Sequence, residues 1–138
     1  DDQHGEIPVG PTGLAADLRH DPPRAEELTN AVGLVLDHME DVEREVPGVM
    51  FATRIELGGH LLGVLANVEL GGSARLPYEL TRAAAEEVFR TLVTERAADR
   101  AHNPGLPGDV VHEVLGGACA LVAVLRFLRA ESAWVVAP

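Results

Sequence analysis

The sequence predicts an α/β domain: a small mixed sheet with packed helices that outnumber its strands. Three observations predict it. Apolar residues from Arg24 to Val46 recur at helical spacing. Short β-branched segments alternate with helical ones across Gly/Pro turns. A stretch from about Asp109 to Arg129 is apolar almost all round, which predicts a central helix buried on every side.

Taken in order, Asp1–Glu6 reads as a flexible start and Ile7–Val9 as a short strand. Pro11–His20 reads as a short helix ended by Asp21-Pro22-Pro23. Leu28, Val32, Val35, Leu36, Met39, Val42 and Val46 form the core stripe of the next helix. The acids between them, Asp37, Glu40, Asp41, Glu43 and Glu45, form its solvated face. Pro47-Gly48 ends it. Val49–Leu57 then reads as a strand, and His60–Leu70 as a helix opened by Gly58-Gly59. Leu76–Leu80 reads as a short strand. Thr81 is an N-cap for a helix over Arg82–Ala97 with a stripe of Ala84, Val88, Phe89 and Leu92. His102–Gly108 is rich in turn residues. Asp109 is placed to cap the central helix, in which Gly116, Gly117 and Ala118 admit a close neighbour. Ala133–Ala137 reads as a final buried strand.

Composition narrows the function. The 138 residues carry 22 acids against 11 cations, a net charge of −11, and every cation is arginine. Such a surface repels polyanions, and the arginines are scattered along the chain, which argues against nucleic-acid binding. The longest apolar run, Val114–Leu125, is too short to span a membrane, which takes about 17–25 residues. Its single cysteine, Cys119, lies within that run and reads as a buried small hydrophobe. With no disulfide to form and no leader pattern, a cytoplasmic location is expected.

Motifs for catalysis are scarce. The six histidines, at 4, 20, 38, 60, 102 and 112, show no i, i+4 pair, and there is no CxxC or HExxH, so no metal site is expected. Ser73 and Ser132 are the only serines, and neither sits in a nucleophile elbow. No catalytic residue is assigned. The Gly58-Gly59 turn remains. Following a strand and opening a helix, it is the one place where backbone N–H groups are predicted to face an anion, with His60 beside them. Gly58, Gly59 and His60 are therefore the candidate phosphate-binding residues.

The order of segments carries a resemblance. "IPVGPTGLAADLRHDPP" is similar to a Leu-Gly-Ala-Val-Arg-Leu-Thr-Glu helix followed by Asp-Pro-Pro. "ELGGHLLGVLA" stands where the pattern has Gly-Gly-Thr and then Leu-Ala, and "ELTRAAAEEVFRTLV" resembles its Leu-Thr helix start. "NPGLPGDVVHEVLGGACALVAVL" resembles Pro-Gly-Arg-Ala-Asp-Val-Ile, two residues with glycine, and an apolar helix; "AWVV" is similar to the strand that follows. Together these motifs resemble the exopolyphosphatase / guanosine pentaphosphate phosphohydrolase (Ppx/GppA) family, over most of Ile7–Val136.

The resemblance implies the actin-like ATPase (ribonuclease H-like) fold. It covers only the second of the two lobes, so residues 7–138 are expected to form one C-terminal lobe. In such enzymes catalysis lies in the cleft between lobes, and the first lobe carries acids for Mg²⁺ and for activating water. The family's Asp-x-Gly-Gly-Gly-Ser phosphate loop would precede Asp1, and a Ser-Glu segment would follow the end of this chain. The expected partner is therefore a missing N-terminal lobe, and the expected function is polyphosphate or pppGpp hydrolysis by the complete protein, with Mg²⁺ as its cofactor and no cofactor held by this chain. Departures from the pattern keep an alternative open. The family arginine falls at Gly13, its threonines at His60, Leu62 and Gly63, and its Arg and Asp near Val110 and His112. Each removes a charge, a donor or a hydroxyl, which suits a non-catalytic relative that binds a nucleotide or a partner. An unpartnered lobe is also expected to expose apolar surface near Gly58-Gly59 and after Pro107, and so to form a homodimer.

Overall fold

The computed structural model describes residues 10–138. The expected flexible start and the Ile7–Val9 strand lie outside those residues.

Helix α1 (Pro11–Ala16) begins with proline, whose missing N–H has no acceptor to lose in a first turn. Helix α2 (Ala25–Glu45) buries Val32, Val35, Met39 and Val42, the predicted stripe. A single carboxylate holds the α1–α2 connection: Glu27 accepts from the backbone N–H of Arg19 at 2.7 Å and of Arg24 at 2.9 Å. Those bonds, led by the one from Arg24, hold its pKa down at about 2.

The long strand expected over Val49–Leu57 is not there. Pro47–Phe51 forms a 3-10 turn, and only Glu56–Gly58 (β1) joins the sheet. Proline at the head of that turn pre-sets a helical φ, which outweighs the β-branched residues after it. Helix α3 spans His60–Leu70, as expected, and ends on Gly71 in the left-handed conformation. Strand β2 (Tyr78–Thr81) runs directly into helix α4 (Arg82–Thr94), and the Thr81 side chain caps it by accepting from Ala84 N–H at 3.1 Å.

Helix α4 stops three residues earlier than its sequence pattern suggests, and a separate turn, α5 (Ala97–Arg100), follows. Arg100 explains the break. It is fully buried, and its guanidinium donates to the carbonyls of Leu92 (3.0 Å), Glu95 (2.7 Å) and Val111 (2.7 Å). Carbonyls at the end of α4 are thus satisfied by a side chain instead of by a continuing helix. Burial lowers the pKa of Arg100, while Asp21 and Glu95 pull it back up.

The central helix, α6 (Glu113–Leu128), is shorter than the expected span of 109–129. A 3-10 turn occupies Gly108–Val110, and His112, not Asp109, is the residue before the first turn, with no side-chain cap. The cause lies in the same latch: Arg100 takes the Val111 carbonyl, and the His112 ring is 2.7 Å from Ala15 O. As predicted, Leu121, Val122 and Leu125 of α6 lie in the core, but the helix is not buried on every side: Ala120, Val124 and Phe127 are part-buried and Arg126 is exposed. It packs on α1, α2, α3 and α4. Gly116 and Gly117 permit this. A Cβ at Gly116 would overlap the Pro11 carbonyl oxygen, and one at Gly117 would press on Leu61 at 3.2 Å. Cys119 is wholly buried among these helices, and burial pushes its thiol up to about 12, so it is no nucleophile.

Strand β3 (Ser132–Val136) is central in a three-stranded mixed sheet of order β1-β3-β2, parallel to β1 and antiparallel to β2. Ala133 and Val135 face the helices, while Ser132, Trp134 and Val136 on the other side are only part-buried. No helix among the described residues is long and apolar enough to cross a membrane.

Candidate functional site

Parallel strands β1 and β3 end side by side, with Gly58 paired to Val136. In open α/β sheets ligands gather at such carboxyl ends, where the chain turns into a helix. Here the turn is Gly59, at φ 137° and ψ 150°, a conformation an L side chain rarely adopts. A Cβ there would meet nothing within 4 Å, so glycine is required by the backbone and not by crowding. Gly58 differs: a Cβ would sit 3.7 Å from Val136 Cγ2, an ordinary contact. The first backbone bond of α3 runs from Gly63 N–H to Gly59 O at 3.3 Å, which leaves the N–H groups of His60, Leu61 and Leu62 without helical acceptors. His60 is exposed at this end.

Gly58, Gly59 and His60 all line one cleft of about 680 Å³. That is the size of a small-molecule site. Its floor is α6, through Ala120, Leu121, Val124 and Leu128, and its wall is α2, through Met39 and Val42. Polar side chains are confined to Thr12, Arg54, Glu56, His60 and Glu113. Arg54 is already engaged: its Nε donates to Glu56 at 3.0 Å, and its guanidinium lies 4.5 Å from the Trp134 ring centroid. That ion pair is half-exposed on both sides and is worth little in stability. Glu113 adds a second carboxylate, which opposes an anion. The cleft therefore offers backbone donors and a histidine at one end of an apolar trough.

The structure thus brings the three predicted residues together and adds Thr12, Arg54, Glu56 and Glu113. The alternation of Arg54 and Glu56 just before the glycine turn was the available signal for two of these. Of the positions where the chain departs from the family pattern, His60, Leu62 and Val110 line the cleft, while His112 is turned toward Ala15. Among the described residues, no three His, Cys, Asp or Glu side chains converge to hold a metal ion. Glu56, paired with Arg54, and Glu113 are the two carboxylates that line the cleft.

A small mixed sheet delivers a glycine turn and a helix N-terminus into a cleft, which makes this chain an α/β lobe. Solved structures make the likeness specific. The chain superimposes on an exopolyphosphatase-like protein with a TM-score of 0.86, at 18% identity, over 95% of this chain and 45% of that one. It matches the Ppx/GppA enzyme of Aquifex aeolicus at 0.80 and 17% identity, over 95% and 44%. An exopolyphosphatase from Cytophaga hutchinsonii matches at 0.76 and 16% identity, over 94% and 44%. At these identities the likeness shows the fold, and the chain spans less than half the length of the proteins it matches. No protein-family model matches the chain, and no curated protein matches it by sequence.

Proposed function

We propose that residues 7–138 are the second lobe of an exopolyphosphatase-like phosphohydrolase that hydrolyses polyphosphate or pppGpp only when joined to a first lobe. The observation that carries this reading is the superposition on 95% of this chain but only 45% of an exopolyphosphatase-like protein. In this reading the first lobe brings the Asp-x-Gly-Gly-Gly-Ser loop and the acids for Mg²⁺. This lobe brings the Gly58-Gly59 turn, whose free amides meet a phosphate oxygen without any side chain. The α3 dipole adds about 0.3–1 kcal/mol to such an exposed contact. A net charge of −11 opposes it, so free phosphate binds weakly.

The test is Mg²⁺-dependent phosphate release from polyphosphate and from pppGpp. The 138-residue chain alone is expected to release none above a heat-killed control. The same chain joined to a first lobe carrying the phosphate loop is expected to release it. Turnover by the chain alone would reject the division of labour; inactivity of the joined protein would reject the hydrolase reading. The second reading is a non-catalytic relative that binds a nucleotide or a partner. It draws on the apolar cleft and on His60, Leu62 and Gly63 standing where the family pattern has hydroxyls.

A further inference from the structure

Residues 95–112 cross from the end of α4 to the start of α6 with little burial of their own. Arg100, Gly105 and Leu106 are the buried residues among them. A segment with so few buried apolar groups opens locally unless specific bonds hold it. Those bonds converge on Arg100. Its Nη1 donates to the Val111 carbonyl at the far end of the segment, at 2.7 Å. Its Nη2 and Nε donate to the Glu95 and Leu92 carbonyls at the near end, at 2.7 and 3.0 Å. One guanidinium thus ties the two ends of the segment together. Asp21 adds a tie at the near end: it accepts from Ala97 N–H at 2.8 Å and lies 4.0 Å from the guanidinium. In the middle, Gly105 lies against α3, where a Cβ would overlap the Asn67 carbonyl.

The far end matters because it borders the cleft. Val110 and Glu113, on either side of the latched carbonyl, both line it. The latch also sets how α6 begins. In a helix continued one turn back, Leu115 N–H would donate to the Val111 carbonyl. That carbonyl is committed to Arg100, and Leu115 donates to His112 O at 3.1 Å instead. Arg100 therefore acts on cleft residues through the backbone between them.

We propose that Arg100 is a positioning residue for the cleft: its guanidinium latches residues 95–112 shut and so fixes Val110 and Glu113 in place. Without it this segment opens while the helical core stays folded. Lysine replaces it poorly, because a point charge does not reproduce a planar fork aimed at three carbonyls. A methyl group at Gly105, wedged against the α3 backbone, is expected to open the same segment from its middle.

Amide hydrogen exchange of the 138-residue chain reads the latch directly. Ala101, His102, Asn103 and Leu106 donate their N–H groups within the segment and report its opening. Leu121 and Val122 report the core of α6. In both Arg100→Lys and Gly105→Ala the segment is expected to exchange about tenfold faster or more relative to α6. Should one variant fail to fold, the other decides. Acceleration of segment and core by one common factor, or a segment unmoved by either substitution, would overturn the proposal. A second arm rests on the hydrolase reading and uses the chain joined to a first lobe. There Arg100→Lys is expected to lower kcat/KM for phosphate release about tenfold or more. Val88→Ala, a truncation of a buried α4 residue outside the segment, is expected to leave it within about twofold. Equal losses in the two variants would make Arg100 a stabilising residue only and overturn its positioning role. A joined wild type without turnover would reject the hydrolase reading, and exchange would still decide the latch.

Discussion

Replacing Gly116 by alanine puts one methyl group between α6 and α1. The new Cβ would overlap the Pro11 carbonyl oxygen and lie 2.7 Å from the Pro11 carbonyl carbon and 3.0 Å from Ala15 N. Carbon and oxygen approach no closer than about 3.3 Å in ordinary contacts, so α1 must retreat by on the order of 1 Å. The obstacle is backbone on both sides, and no side-chain rotamer relieves it. Overpacking of this kind costs about 3 kcal/mol or more, the upper part of its usual range. Alanine's better helix propensity returns about 1 kcal/mol. The net loss of roughly 2–3 kcal/mol corresponds to a fall in Tm of roughly 7–10 °C for a domain of this size. Gly33 is the control, since it lies inside α2 with nothing within 4 Å of a built Cβ. Gly33→Ala is expected to raise Tm by roughly 2–4 °C through propensity alone. Thermal unfolding followed by circular dichroism reads both. A Gly116→Ala protein within 2 °C of the parent, taking ~2 °C as the resolution of the comparison, would refute the claim that α1 and α6 touch backbone to backbone.

Other substitutions probe the site and its supports. Gly59→Ala forces a side chain into the φ 137° turn and is expected to cost about 1–3 kcal/mol, whereas Gly58→Ala stays within about 0.5 kcal/mol; urea unfolding separates them. Arg100→Met takes the guanidinium from three carbonyls, one buried and two part-buried, and is expected to lose about 3 kcal/mol or more, with Arg100→Lys recovering only part, again by urea unfolding. Glu27 has a folded pKa of about 2, below its usual value of 4.5, so the stability it contributes is full above pH 4.5 and fades as pH falls toward 2. The stability difference between wild type and Glu27→Gln should shrink over that window, and a difference constant with pH would show that the carboxylate is not the stabilising form.

Helices were legible in the sequence wherever burial is one-sided or nearly complete. The stripe of α2, the all-apolar α6 and the span of α3 follow from local periodicity, because the face a helix buries is written at 3.6-residue spacing. Thr81 was legible as a cap for the same reason: an N-cap bond reaches only three residues. The candidate turn was legible too, since Gly59 answers a local backbone demand.

What the sequence could not show depends on groups far apart along the chain. The break between α4 and α5 and the late start of α6 come from Arg100, whose three carbonyl partners lie five to eleven residues away in different elements. β1 shrank to three residues because a strand exists only where a partner offers a ladder, and the ladder with β3 covers only Glu56–Gly58. The cleft is the strongest case. Its lining comes from α1, α2, the Pro47–Phe51 turn, β1, α3 and α6, residues between Pro11 and Leu128. Local pattern determined which residues would be helical and where the glycine turn would fall. Only the packing of α6 against its neighbours decided that this turn would open on an apolar cleft, because that juxtaposition is a property of no single segment.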